Sequence, residues 1–302
     1  MPLGTSTLNK IQFVVPSLRD PRITVLAANT TWIVLGHEVL YFNRSLDQLV
    51  IALLTCMMLD VMITFAMSRK IVLPLSGMLT GLSIGLLLAS YDPRLFIVVS
   101  IWSIASKYLV KLKGNHIFNP SNFGIVVALL ITHGLASVAP GSQWGGDFRY
   151  AFVIFGIGLL TMWRVQRLRI VLGWLAGYVL VGLLRMAVGQ GGLIFVLGPL
   201  TGAEFALFTF VMIPDPKTTP TEKHIQFWFG LALGSLDGFM RLAEIRYSMF
   251  YALFILCAVR GYGTVIWEKI GSAVLAQRTL RTLGLSRMKA ERAESLEQIA
   301  SK

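Results

Sequence analysis

Apolar residues recur along the chain in long runs, and most charged residues fall in the short segments between them. Ten such runs cover residues 23–43, 46–67, 74–89, 94–111, 120–139, 148–164, 168–188, 193–213, 224–243 and 246–267. A helix needs about 20 apolar residues to cross a hydrocarbon core of about 30 Å. The pattern therefore predicts ten transmembrane helices. The first run is the weakest, because His37 and Glu38 interrupt it, and the third is short and rich in glycine.

Composition sets the class. Of the 302 residues, 55% are apolar and 14% charged, with a mean hydropathy of +0.69, whereas soluble domains carry about 25% charged residues. The expected fold is all-α and polytopic, with the lipid bilayer as its main partner. The domains expected are an N-terminal segment over 1–22, a membrane domain over 23–267 with halves at about 23–139 and 148–267, and a basic tail over 268–302. The polar start, broken by Pro2, Pro16 and Pro21, does not read as a cleaved secretory signal. In the tail, Ile270, Val274, Leu280 and Leu283 are scattered among Arg278, Arg281 and Arg287, a pattern open to a solvated tail or a helix lying on anionic lipid.

The net charge of +12 signals topology, not nucleic acid. With the N-terminus placed inside, 21 of the 27 Lys and Arg fall on the cytoplasmic side of the ten runs. That arrangement obeys the positive-inside rule at every loop and leaves both termini cytoplasmic.

Two segments share a pattern. Leu79-Thr80-Gly81 precedes an apolar run ending in Asp92-Pro93, and Leu200-Thr201-Gly202 precedes one ending in Asp215-Pro216. They lie five runs apart and so cross the membrane in opposite senses, which predicts two inverted five-helix repeats. Pro74, Gly77, Gly81 and Gly85 are expected to interrupt the third run, and Gly198, Pro199 and Gly202 the eighth. Interrupted spans at matching positions mark binding sites in such folds. The glycines recurring every four residues at 77, 81 and 85, at 173 and 177, and at 230, 234 and 238 read as close helix packing.

Ionisable residues at bilayer depth are functional candidates. Asp60 and Asp237 read as interhelical hydrogen-bond partners. Glu204 either lines a ligand or proton site or pairs with an arginine or a backbone amide. His133 is a fourth buried candidate; no two histidines have paired helical spacing. Cys56 and Cys257 lie far apart in apolar runs and read as small buried residues. The sequence contains no Walker loop, dinucleotide fingerprint or nucleophile elbow.

Before the fifth run the chain reads Lys107-Tyr108-Leu109, then Gly114-Asn115-His116-Ile117-Phe118-Asn119-Pro120. Together with Thr201-Gly202-Ala203 and Asp215-Pro216-Lys217-Thr218, this resembles the RnfD/NqrB family of membrane electron-transport subunits, and most closely its UnbU-like branch. The resemblance covers about residues 70–265. It implies ten helices in two inverted halves, a bacterial inner-membrane location, flavin-mediated electron transfer, and partner redox or membrane subunits. Cofactor-binding positions carried over by the resemblance are Lys107, Phe118, Asn119, Pro120, Thr201, Gly202, Ala203, Glu204, Asp215 and Pro216. The family's flavin-accepting threonine is replaced here by Glu204. A carboxylate does not take the place of a hydroxyl as phosphoryl acceptor, so covalent FMN is not expected, and a noncovalent flavin (riboflavin or FMN) or another planar ligand is left open. Whether the chain itself counts as an enzyme is left open. The alternative reading is a secondary transporter or permease for a small molecule or ion.

Overall fold

The computed structural model describes residues 12–17, 19–39, 45–138, 149–215 and 217–266, and these are mostly helical. The helices are α1 (Pro21–Glu38), α2 (Leu46–Ser68), α3 (Leu75–Leu87), α4 (Pro93–Leu109), α5 (Pro120–Ile131), α6 (Arg149–Arg164) and α7 (Leu168–Ala187). There follow α8 (Leu193–Leu197), α9 (Ala203–Leu207), α10 (Lys223–Leu242) and α11 (Ser248–Ile266). A 3-10 turn over Gly198–Thr201 extends α8, and a π-helical turn over Phe208–Met212 extends α9.

Three helices begin with the same local device. Asp20, Asp92 and Asn119 each cap a helix whose first residue is proline, and each accepts a backbone N–H, from Arg22, Arg94 and Asn122 respectively. The capping oxygen satisfies an amide that the first turn leaves free, and proline sits where its missing N–H costs nothing.

By length and composition, α2, α7 and α11 can each cross a membrane, and the bent pair α8 and α9 makes a fourth if counted as one span. The expectation of ten full-length spans is thus met only in part among the described residues. Helices α3 and α5 have 13 and 12 residues, and at about 1.5 Å per residue they fall well short of about 30 Å. The expected fifth span reached residue 139, but α5 is stopped by a turn in which His133 and Gly134 take φ of 47° and 95°. Beyond it the short strand Ser137–Val138 pairs antiparallel with Leu88–Ala89, which follows α3. Where these two helices end, extended chain from both continues side by side.

The third run also departs from expectation. Pro74 lies before α3, whose residues from Leu75 to Leu87 are continuously helical. Gly77, Gly81 and Gly85 face α2 instead of breaking the helix: a Cβ at Gly81 would stand 2.6 Å from Leu53 Cα. Helices α7 and α10 lie equally close, and a Cβ at Gly173 or Gly230 would stand 2.1 Å from the carbonyl oxygen of Phe227 or Ile170. The four-residue spacing of glycines is a backbone-to-backbone seam.

Two acidic groups fasten the helices, in keeping with their expected role. Asp60 of α2 accepts from Lys107 Nζ at 2.5 Å and Tyr108 OH at 2.6 Å, both on α4, and from the Gly77 amide of α3 at 3.1 Å. Asp237 of α10 accepts from Arg241 one turn on and from Ser248 at the start of α11. Cys56 and Cys257 are buried and form no disulfide among the described residues.

The chain divides into one compact unit ending at Cys257 and another beginning at Ala258. The expected boundary before residue 268, and the basic tail beyond it, lie outside the described residues.

Candidate functional site

A cavity of about 190 Å³ lies among helix ends in the first unit. A single water needs about 10–15 Å³ of such space, so the cavity has room for a sizeable guest. Its walls come from the N-terminal half of α1, from α3, from the start of α5, from the turn joining α6 to α7, and from the chain leaving the π-helical turn. Val25, Leu79, Val165 and Val211 make it apolar, and Arg22, Arg167, Lys217 and Asp215 add charges of both signs, Arg22 being paired with Asp20 at 2.6 Å.

Helix α3 contributes the hydroxyls of Ser76, Thr80 and Ser83, which share a face because they are four and three residues apart. Thr80 and Ser83 donate to the carbonyls of Ser76 and Leu79 in their own helix. What they offer the cavity is accepting capacity.

The turn before α5 supplies Asn119 and Pro120. Asn119 Nδ2 donates to the Met212 carbonyl at 2.9 Å, and Oδ1 accepts from Ser121 Oγ and the Asn122 amide. Its side chain therefore ties the start of α5 to the end of the broken segment, with little hydrogen-bonding capacity left over. The Asp215 turn repeats the capping device: its carboxylate accepts from the Lys217 amide at 3.1 Å and its carbonyl accepts from the amides of Thr218 and Thr219. Asp215 Oδ2 lies 3.5 Å from His116 Nε2, an ion pair when the imidazole is protonated. Burial acts to raise the pKa of Asp215, but His116 and the Lys217 amide outweigh it and hold the carboxyl below its ordinary value.

The cavity gathers some of the residues expected from sequence and leaves out others. Asn119, Pro120 and Asp215 line it. Phe118 turns away, stacked on Phe254 with centroids 4.4 Å apart. Lys107 is held by Asp60. Thr201, Gly202 and Glu204 are not among the lining residues. They flank a 56° bend between Leu193–Thr201 and Glu204–Met212, and the charged neighbours of Glu204 are Arg241 and Asp237. Ala203 opens α9, and Pro216 lies outside the described residues.

Several lining residues gave no signal in the sequence. His116 appeared there within the segment before the fifth run but was given no role of its own. Asn29 is one of several polar residues inside the first apolar run, followed directly by Thr30 and Thr31, with neither periodicity nor a motif to single it out. In the structure Asn29 is 1% exposed, and neither its Oδ1 nor its Nδ2 has a hydrogen-bond partner among the described residues.

No known family model matches the chain, and no curated protein is significantly similar to it.

Proposed function

We propose that this chain is a membrane-embedded electron-transport subunit of the RnfD/NqrB type that holds a flavin noncovalently. The observation that carries the reading is the cavity itself. There Asn119, Pro120 and Asp215, from two of the motifs on which the resemblance rests, meet α3 around walls that are mostly apolar with polar and charged groups among them. A planar ring system with a polar edge suits that lining. With burial and hydrogen bonds the protein would tune the flavin's electronics, while partner subunits would supply and take up electrons.

The proposed arrangement is ten membrane segments in two inverted halves, with both termini on the cytoplasmic side of a bacterial inner membrane. Packing supports it, because contacts between the halves join elements that the repeat makes equivalent, α1 with α6 and α3 with α9. Within the halves, α2 packs on α3 and α4 as α7 packs on α8 and α10. The cavity-lining ends also agree: α1, α3, α5 and α7 begin there, while α6 and the broken segment finish there. The shorter helices then rely on protein neighbours, not lipid, to satisfy the backbone beyond their ends.

An absorption spectrum of the detergent-purified protein tests this reading. The expected result is a yellow preparation whose flavin is released by acid precipitation and leaves no fluorescent band on a denaturing gel, since Glu204 stands where the acceptor hydroxyl would be. A fluorescent band would overturn the noncovalent assignment. A colourless, fully folded protein that takes up no added flavin would overturn the electron-transfer reading. That second outcome would favour a permease, for which Glu204 beside the bend, with Arg241 and Asp237 as its charged neighbours, is the motivating feature.

A further inference from the structure

The Phe-Asn-Pro motif draws attention to Asn119, yet the hydrogen bonds of that side chain are spent on Met212, Ser121 and Asn122. The amide left unused is on α1. Asn29 lines the cavity, is 1% exposed, and has both its donor and its acceptor unpaired among the described residues. One turn further, Trp32 is also 1% exposed and its Nε1 also lacks a partner. A buried amide with no partner is costly to keep, and native proteins hold few of them. At a cavity with room for many waters, the unpaired amide of Asn29 marks a surface made complete by something that enters.

We infer that Asn29 is the specificity-determining residue of the cavity and reads the lactam or imide edge of a planar heterocycle. A carboxamide presents one donor and one acceptor side by side. Its complement is a ring edge with a carbonyl next to an N–H, as in a pyrimidinedione or the pyrimidine end of an isoalloxazine. Other polar groups in the lining are less suited to that task. The hydroxyls of Thr80 and Ser83 have given their protons to their own helix. His116 faces the Asp215 carboxylate. The apolar side chains of Val25, Leu79 and Val211 would cover the faces of the ring, and Arg22 and Lys217 would sit toward any polar or anionic substituent.

This inference rests on the flavin reading above, and its test separates the two. Riboflavin, and riboflavin methylated at the imide nitrogen, are titrated into flavin-free protein in detergent while flavin fluorescence is followed. The wild type is expected to bind riboflavin and to bind the methylated compound about ten- to a hundred-fold more weakly, as loss of one or two buried hydrogen bonds implies. Asn29→Leu, with the same branching at Cγ and free of the unpaired amide, is expected to lose a comparable factor for riboflavin and to bind the two compounds alike. Its melting temperature, expected to equal or exceed that of the wild type, checks folding. If the variant does not fold, the comparison of the two compounds on the wild type decides alone. Riboflavin binding by the wild type with no penalty for methylation, or undiminished binding by a folded Asn29→Leu, would overturn the inference while leaving the flavin reading intact, with water alone serving the amide. No saturable flavin binding by the wild type would overturn both.

Discussion

Replacing Asp60 with leucine is expected to destabilise the protein by about 3–5 kcal/mol, because it strands a cation that the fold keeps from water. Lys107 is 13% exposed and Asp60 6%, and the carboxylate also accepts from Tyr108 and the Gly77 amide. One residue thus holds α2, α3 and α4 together, and α3 forms a wall of the cavity. Thermal unfolding in detergent measures the loss. Asp60→Leu combined with Lys107→Met is expected to recover much of it, since removing both charges leaves no unpaired ion. A double variant no better than Asp60→Leu would mean that the hydrogen bonds to Tyr108 and Gly77, and not the ion pair, carry the effect.

Nearly as large an effect is expected at the seam between α7 and α10. A methyl group at Gly230 would stand 2.1 Å from the Ile170 carbonyl oxygen and 2.8 Å from the Trp174 nitrogen. Both neighbours are backbone, so no rotamer change relieves the contact and the helices must move apart. Gly230→Ala is expected to cost about 3 kcal/mol, the upper part of the usual range for overpacking. Gly156→Ala provides the control: its Cβ would meet nothing within 4 Å, and alanine in a helix interior is favoured over glycine by about 0.5–1 kcal/mol. Equal melting temperatures for the two variants would contradict the close seam.

Much of this architecture was legible before any coordinates. Helices α4 and α5 start within a residue of the runs read from hydropathy, at Pro93 and Pro120, where Asp92 and Asn119 cap them. The spacing of glycines announced close packing, and Asp60 and Asp237 stood out as acids in apolar runs. Hydropathy failed where two structures look alike to it: Leu88–Ala89 and Ser137–Val138 are apolar enough to prolong a helix, yet they pair as strands. The third run was expected to be broken because glycine and proline are present, but Pro74 precedes the helix and the glycines serve its contact with α2.

The site was legible only in fragments. The family resemblance grouped Asn119, Asp215, Thr201 and Glu204. The bend at Gly202 sets the last two apart from the cavity, and a bend of that kind depends on how the Pro199 turn packs, which no short motif encodes. Asn29 was invisible for a different reason: what marks it is the absence of a partner, a property of the folded chain and not of the sequence.

The most direct test of the account is a high-resolution density map of the protein equilibrated with riboflavin. The account predicts flavin density in the cavity between α3 and the chain following the broken segment, with its pyrimidine edge toward Asn29. A cavity containing only water, or a flavin bound elsewhere, for example at Thr201 and Glu204, would contradict it.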